Sequence, residues 1–137
     1  MKVFKTVAPY LIGLTVFLFF AAVILYQRSG NFLEKGIASE RQGDLIDAIE
    51  MYEWSIQNYT PLIHHTHKAI ERLESIAAES EIQGATDTAL DAWQAIVSGL
   101  AVIRHVQQPY AEEKEHAQIE LDRLRDRIIQ KRKSAQS

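Results

Sequence analysis

The chain has 137 residues and a formal net charge of −3, with 47% hydrophobic and 24% charged side chains. That balance excludes a wholly disordered chain and one buried throughout in lipid, and it bounds the protein to one small domain plus an anchor. The absence of cysteine excludes a disulfide framework, a thiolate zinc site and a cysteine nucleophile, without fixing a compartment.

The first predicted element is an apolar helix. A short basic N-terminus, residues 1–5 with Lys2 and Lys5, precedes an uncharged run of 21 residues from Thr6 to Tyr26. A helix of that length reaches about 31 Å, close to the hydrocarbon thickness of a bilayer. Tyr10 and Tyr26 sit near its ends, where amphipathic rings prefer the interface, and Pro9 falls in the first turn, where its missing N–H costs little. A cleaved signal peptide would start the same way. The run is too long for one, however, and no small-residue cleavage site follows it, because Ala21 and Ala22 lie inside. Residues 6–26 are therefore expected to be an uncleaved transmembrane helix in the cell (inner) membrane. It has no charged residue to serve an ion path; its small residues Gly13, Ala21 and Ala22 suit close packing against another span. Lys2 and Lys5 crowd the start, whereas Arg28, Lys35 and Arg41 are spread beyond the end. The expected orientation is amino terminus cytoplasmic and C-terminal domain extracytoplasmic, periplasmic in a bacterium.

Residues 27–137 make the soluble part, with 13 Lys and Arg against 18 Asp and Glu. Up to Asp122 the balance is 7 against 17; from Arg123 onward it is 6 against 1. An acidic body repels phosphate, and the basic end lacks interleaved aromatics, so nucleic acid is excluded as a partner. Arg123, Arg125, Arg127, Lys131, Arg132 and Lys133 read first as a helix C-terminus favoured by the helix dipole, with contact to acidic lipid or an acidic partner as the alternative.

Beyond the anchor the apolar pattern is helical only; no stretch alternates like a strand. The anchor is expected to continue as helix towards Gln42, followed by helices over Leu45–Tyr59, Pro61–Gln83, Thr86–His105 and Pro109–Lys133. Thr60 before Pro61 has the chemistry of a helix start. Asp87 or Thr86 offers a cap for the fourth helix, and Glu112, Glu113 and Glu115 favour the first turns of the fifth.

Two segments repeat each other. Gly43-Asp-Leu-Ile-Asp-Ala-Ile-Glu-Met-Tyr52 aligns with Gly84-Ala-Thr-Asp-Thr-Ala-Leu-Asp-Ala-Trp93. Each has glycine, alanine five residues later (Ala48, Ala89), an aliphatic residue next, and an aromatic nine after the glycine. Gly36 and Ala77 each stand seven residues before the glycine, and Tyr59-Thr60-Pro61 closes the first segment. This pattern resembles the tetratricopeptide repeat, a helix–turn–helix module of 34 residues. The match spans residues 29–104, with repeats at about 29–62 and 70–104 and a capping helix at about 109–133. The two glycines are 41 residues apart, and two extra helical turns around Leu62–Lys68 would absorb the difference. Phe32 stands where tryptophan is typical of the family, and Ser39 and Ser80 where a larger aromatic is usual, which weakens the expected groove. The resemblance implies an all-α hairpin domain. In it Ala48 and Ala89 let antiparallel helices approach, Tyr52 and Trp93 fill the gap beside them, and Ile49, Ile56, Leu90 and Ile96 continue the buried stripe. Ala117, Leu121, Leu124 and Ile128 provide the seam of a cap, which stacked repeats require. Trp54, two positions beyond Tyr52, falls on a different face, either packed on a neighbouring helix or exposed as an anchor for a partner.

Histidine is the residue type that invites a chemical reading. His64, His65 and His67 cluster at the start of the third helix, and His64 and His67 share a face. Two imidazoles at that spacing suit zinc or copper, with Glu71 one turn on, but no HExxH motif accompanies them; the plainer reading is a polar, exposed first turn. No nucleophile elbow, phosphate loop, dinucleotide fingerprint or paired carboxylate is present. The chain is therefore expected to be neither an enzyme nor a cofactor carrier, and to take no small-molecule substrate. The expected function is a membrane-anchored interaction module, an adaptor or accessory subunit of a larger envelope complex for transport, secretion or an ion-driven motor. Its partners would be integral membrane subunits and the lipid bilayer. The alternative is a small metal- or pH-responsive membrane sensor using His64, His65 and His67.

Overall fold

The structure is a computed structural model that describes residues 2–59, 64–103 and 109–135, the side chains at 2–9, 11, 25 and 26 excepted. Five helices occur among them: α1 (Lys2–Arg41), α2 (Leu45–Gln57), α3 (His65–Ile82), α4 (Thr86–Val102) and α5 (Ala111–Ala135). No described residue is in a strand, and the fold is all-α.

α1 serves two purposes along one axis. Its N-terminal stretch is long and apolar enough to cross a membrane, and large side chains there are exposed: Tyr10 is 76% exposed, Phe17 69% and Phe19 66%. From Ser29 onward the same helix turns a buried face to the domain, through Ser29, Leu33 and Gly36.

The two hairpins, α1–α2 and α3–α4, close with the same turn. Gly43 has φ +80° and Gly84 has φ +77°, a left-handed conformation that glycine alone adopts without steric cost. After each helix the backbone N–H three residues beyond it bonds back across the turn, Asp44 to the Ser39 carbonyl at 3.0 Å and Ala85 to the Ser80 carbonyl at 2.8 Å. Such reciprocal bonding satisfies carbonyls that a helix end leaves free.

The two hairpins stack through α2 against α4 and α2 against α3, and α5 lies on α4. Ala48, Tyr52 and Ile56 of α2, Ala69, Leu73 and Ala77 of α3, and Ala89, Ala92 and Ile96 of α4 are all fully buried. Ala117, Leu121 and Leu124 attach α5 to this core, and Ile128 is half-buried. Small residues mark the closest approaches: a Cβ at Gly36 would meet the Tyr52 ring at 2.6 Å, and one at Gly99 would meet Ile56 Cγ2 at 2.9 Å. The packing is that of repeated helical hairpins.

Several expected details are corrected. The fourth helix is not capped by Thr86 or Asp87: its N-cap is Ala85, without a side-chain hydrogen bond, and the Thr86 hydroxyl donates to the Gly84 carbonyl at 3.4 Å. Asp87 lies in the first turn, where its charge favours the dipole. α2 by contrast has Asp44 as N-cap, accepting from the Asp47 N–H at 3.1 Å. α2 ends at Gln57 rather than Tyr59, because the Asn58 side chain donates to the Trp54 carbonyl at 2.7 Å. α3 starts at His65, α4 stops at Val102, and α5 starts at Ala111. The Thr60–Pro61 start, the inserted residues Leu62 and Ile63, and the last residues expected for the fourth helix, Arg104 and His105, lie outside the described residues.

Candidate docking surfaces

The sequence candidates fall on three separate surfaces. Gly13, Ala21 and Ala22 lie on α1 ahead of Ser29, its first buried residue among those described; Gly13 has open space around it, Ala21 is half-buried and Ala22 is exposed. Trp54 takes part in both readings raised for it. Its ring stacks on Phe32 of α1 at 6.1 Å and 26°, yet the residue is 44% exposed. Its indole N–H donates to Glu50 at 3.4 Å, and Lys35 Nζ sits 5.8 Å from the Phe32 ring.

The histidines occupy the start of α3 without converging on a metal position. His64 is the N-cap and exposed. His67 pairs with Glu71 at 3.3 Å. The His65 ring packs against Gly30 of α1. Among the described residues no group of three His, Asp or Glu side chains is arranged to hold a metal ion.

Two grooves were not foreseen. One, of about 250 Å³, runs between α2 and α4 and is lined by Ile46, Ile49, Glu50, Glu53, Asp91, Gln94 and Ala95. The other, of about 480 Å³, lies between α3 and α5 over α4, and is lined by Glu74, Ala78, Glu81, Ile82, Trp93, His116, Glu120 and Arg123. Trp93 forms its floor, edge-on to His116 at 5.5 Å. Arg123 spans this groove, bonding both oxygens of Glu81 at 2.8 and 2.9 Å and Glu120 at 2.6 Å. Arg127 reaches Glu81 at 3.7 Å, and Arg125 donates to Gln94 at 2.8 Å. Arg123, Arg125 and Arg127 of α5 therefore clasp α3 and α4. Past Leu124 the helix is exposed apart from Ile128, and Lys131, Arg132 and Lys133 make its last turns a basic tip.

A polar network ties the first three helices together. The buried Tyr52 hydroxyl donates to Glu40 at 2.5 Å, and Arg72 of α3 grips both Glu40 oxygens. Burial, reinforced by the Glu40 carboxylate, pushes the Tyr52 phenol up to about 12. Arg72 keeps the Glu40 charge paired, and with that pairing the arrangement is structural. What the chain offers is surface: an exposed apolar helix, a half-open aromatic pair, two grooves and a basic tip. Compared with protein-family models, with curated proteins and with solved structures, the chain finds no match.

Proposed function

We propose that the chain is a single-pass membrane-anchored interaction module, an adaptor or accessory subunit of a larger envelope complex, whose domain is a divergent pair of tetratricopeptide-like repeats capped by α5. One observation carries this reading: α1 is a single helix of 40 residues whose apolar N-terminal stretch is exposed and whose last turns are the first packed helix of the domain. An apolar surface of that extent on a helix long enough to span calls for lipid or another span. The repeat reading is supported by the matching glycine turns, by the buried alanines Ala48 and Ala89, and by the aromatics Tyr52 and Trp93 in equivalent places. Positive charge before the span supports an orientation with the domain outside the cytoplasm.

Extraction of the full-length protein in mild detergent tests the function. Stoichiometric recovery with larger membrane subunits is the expected result; recovery as a free, monodisperse protein overturns it. A Ser134→Cys variant tests the orientation. Its lone thiol, on an exposed turn of α5, should react with a membrane-impermeant reagent in intact cells, and labelling only after lysis would reverse the assignment.

A further inference from the structure

We propose that the end of the domain where α2 and α4 finish and α5 begins rests in the headgroup layer of the bilayer that α1 crosses. The inference rests on the reading of α1 as a span, and adds that the domain lies on the lipid surface instead of standing clear of it.

The heights along α1 carry the argument. Ser29 and Ser55 exchange hydrogen bonds, each hydroxyl donating to the other residue's carbonyl at 3.1 and 3.0 Å. α2 runs antiparallel to α1, so Asn58, three residues past Ser55, lies level with the backbone of residue 26, where the uncharged run ends; the drop is about 4.5 Å. α4 runs parallel to α2 with Gly99 against Ile56, which puts Ala101 and Val102 level with Asn58 and Tyr59. The Tyr59 and Tyr110 rings meet edge to face at 6.0 Å, bringing the start of α5 to the same plane. His65 against Gly30 fixes the start of α3 just above it.

The chemistry at that level is interfacial. α2 has no charge from Trp54 to Tyr59, and α4 has none from Ala92 to Ile103. Ala101 and Val102 are exposed, Val102 by 58%. Two half-buried tyrosines, exposed apolar ends and, on α1, the exposed Arg28 two residues past the end of the uncharged run are the composition that settles at the boundary between hydrocarbon and water. The first carboxylates of α5, Glu112 and Glu113, stand beyond Tyr110 in the direction away from the span. The opposite end of the domain carries Glu40, Arg41, Asp44, Asp47, Glu81 and Asp87, which suits water.

Because the chain has no cysteine, single nitroxide labels can report depth in the full-length protein. Labels on Phe17→Cys, Ala101→Cys and Gln83→Cys, in phosphatidylcholine vesicles with phosphatidylglycerol, are compared by collision with oxygen and with a water-soluble nickel chelate. The expected order is Phe17 most favoured by oxygen, Gln83 most favoured by nickel, and Ala101 between them. Val102→Cys should repeat the Ala101 result. If both labels near the end of α4 are as open to nickel as Gln83 while Phe17 is shielded, the headgroup contact is wrong and the span stands. If Phe17 is itself open to nickel, the span fails and the contact fails with it.

Discussion

Gly36 has no room for a side chain, because the ring facing it, Tyr52, is fully buried and hydrogen-bonded in place. Gly36→Ala should therefore destabilise the domain by on the order of 1–3 kcal/mol, less the helix-propensity gain of about 1 kcal/mol, in thermal or denaturant unfolding. Gly13→Ala, with open space around the glycine, should leave domain stability unchanged. Tyr52 also sets an alkaline limit. An unfolded chain ionises this phenol near pH 10, the folded one at about 12. Below pH 10 the stabilisation is complete; as pH rises towards 12 the unfolded state loses the proton first, and on the order of 2–3 kcal/mol is lost. Tyr52→Phe should remove this loss while costing about 0.5–1.5 kcal/mol at neutral pH. Spectrophotometric titration should find one fewer tyrosine resisting ionisation in the variant than in wild type, since burial also raises Tyr110 and does so in both. The glycines, alanines and aromatics were legible in the sequence, since turn conformation and close approach restrict residue type at fixed spacing. The Glu40–Arg72 and Glu81–Arg123 pairs were not, because partners 32 and 42 residues apart leave no local pattern.

α5 is held by two kinds of contact, and magnitudes decide which matters. Its ion pairs are open to solvent, with Arg123 38% exposed, and pairs of that kind are worth about 0–1 kcal/mol. Leu121 is 1% exposed, and emptying such a site costs about 2–5 kcal/mol. Leu121→Ala should thus release α5 at a clearly lower denaturant concentration, whereas Glu81→Gln should shift the midpoint slightly and blunt its dependence on salt. A larger effect from Glu81→Gln would mean that the clasp, rather than the apolar seam, docks the helix. All five helices were readable from apolar periodicity and from the punctuation by Gly43, Gly84 and Pro109. Their ends were less so. Asp44 caps α2 as an acidic residue should, but the N-cap of α4 is Ala85, whose side chain has no acceptor, although the same glycine turn precedes both helices.

At the scale of the whole molecule, α1 passes from the apolar stretch into the domain with no break from Lys2 to Arg41. The sequence allowed this continuation, since no proline or paired glycine interrupts residues 10–41; it could not show the grooves, which need helices distant in sequence to be in place. A continuous helix fixes angle as well as height. One alanine inserted after Gln27 should lift the domain by about 1.5 Å and turn it by about 100° around the α1 axis. A seven-residue helical insertion should return it to within about 20° of its starting azimuth while raising it by about 10 Å. A complex that grips both span and domain should be lost from co-purification with the single insertion and depend on height alone with the longer one. The domain is thus indexed to the apolar stretch of α1 like a key blade to its bow, and a partner that recognised both ends would read one rotational setting.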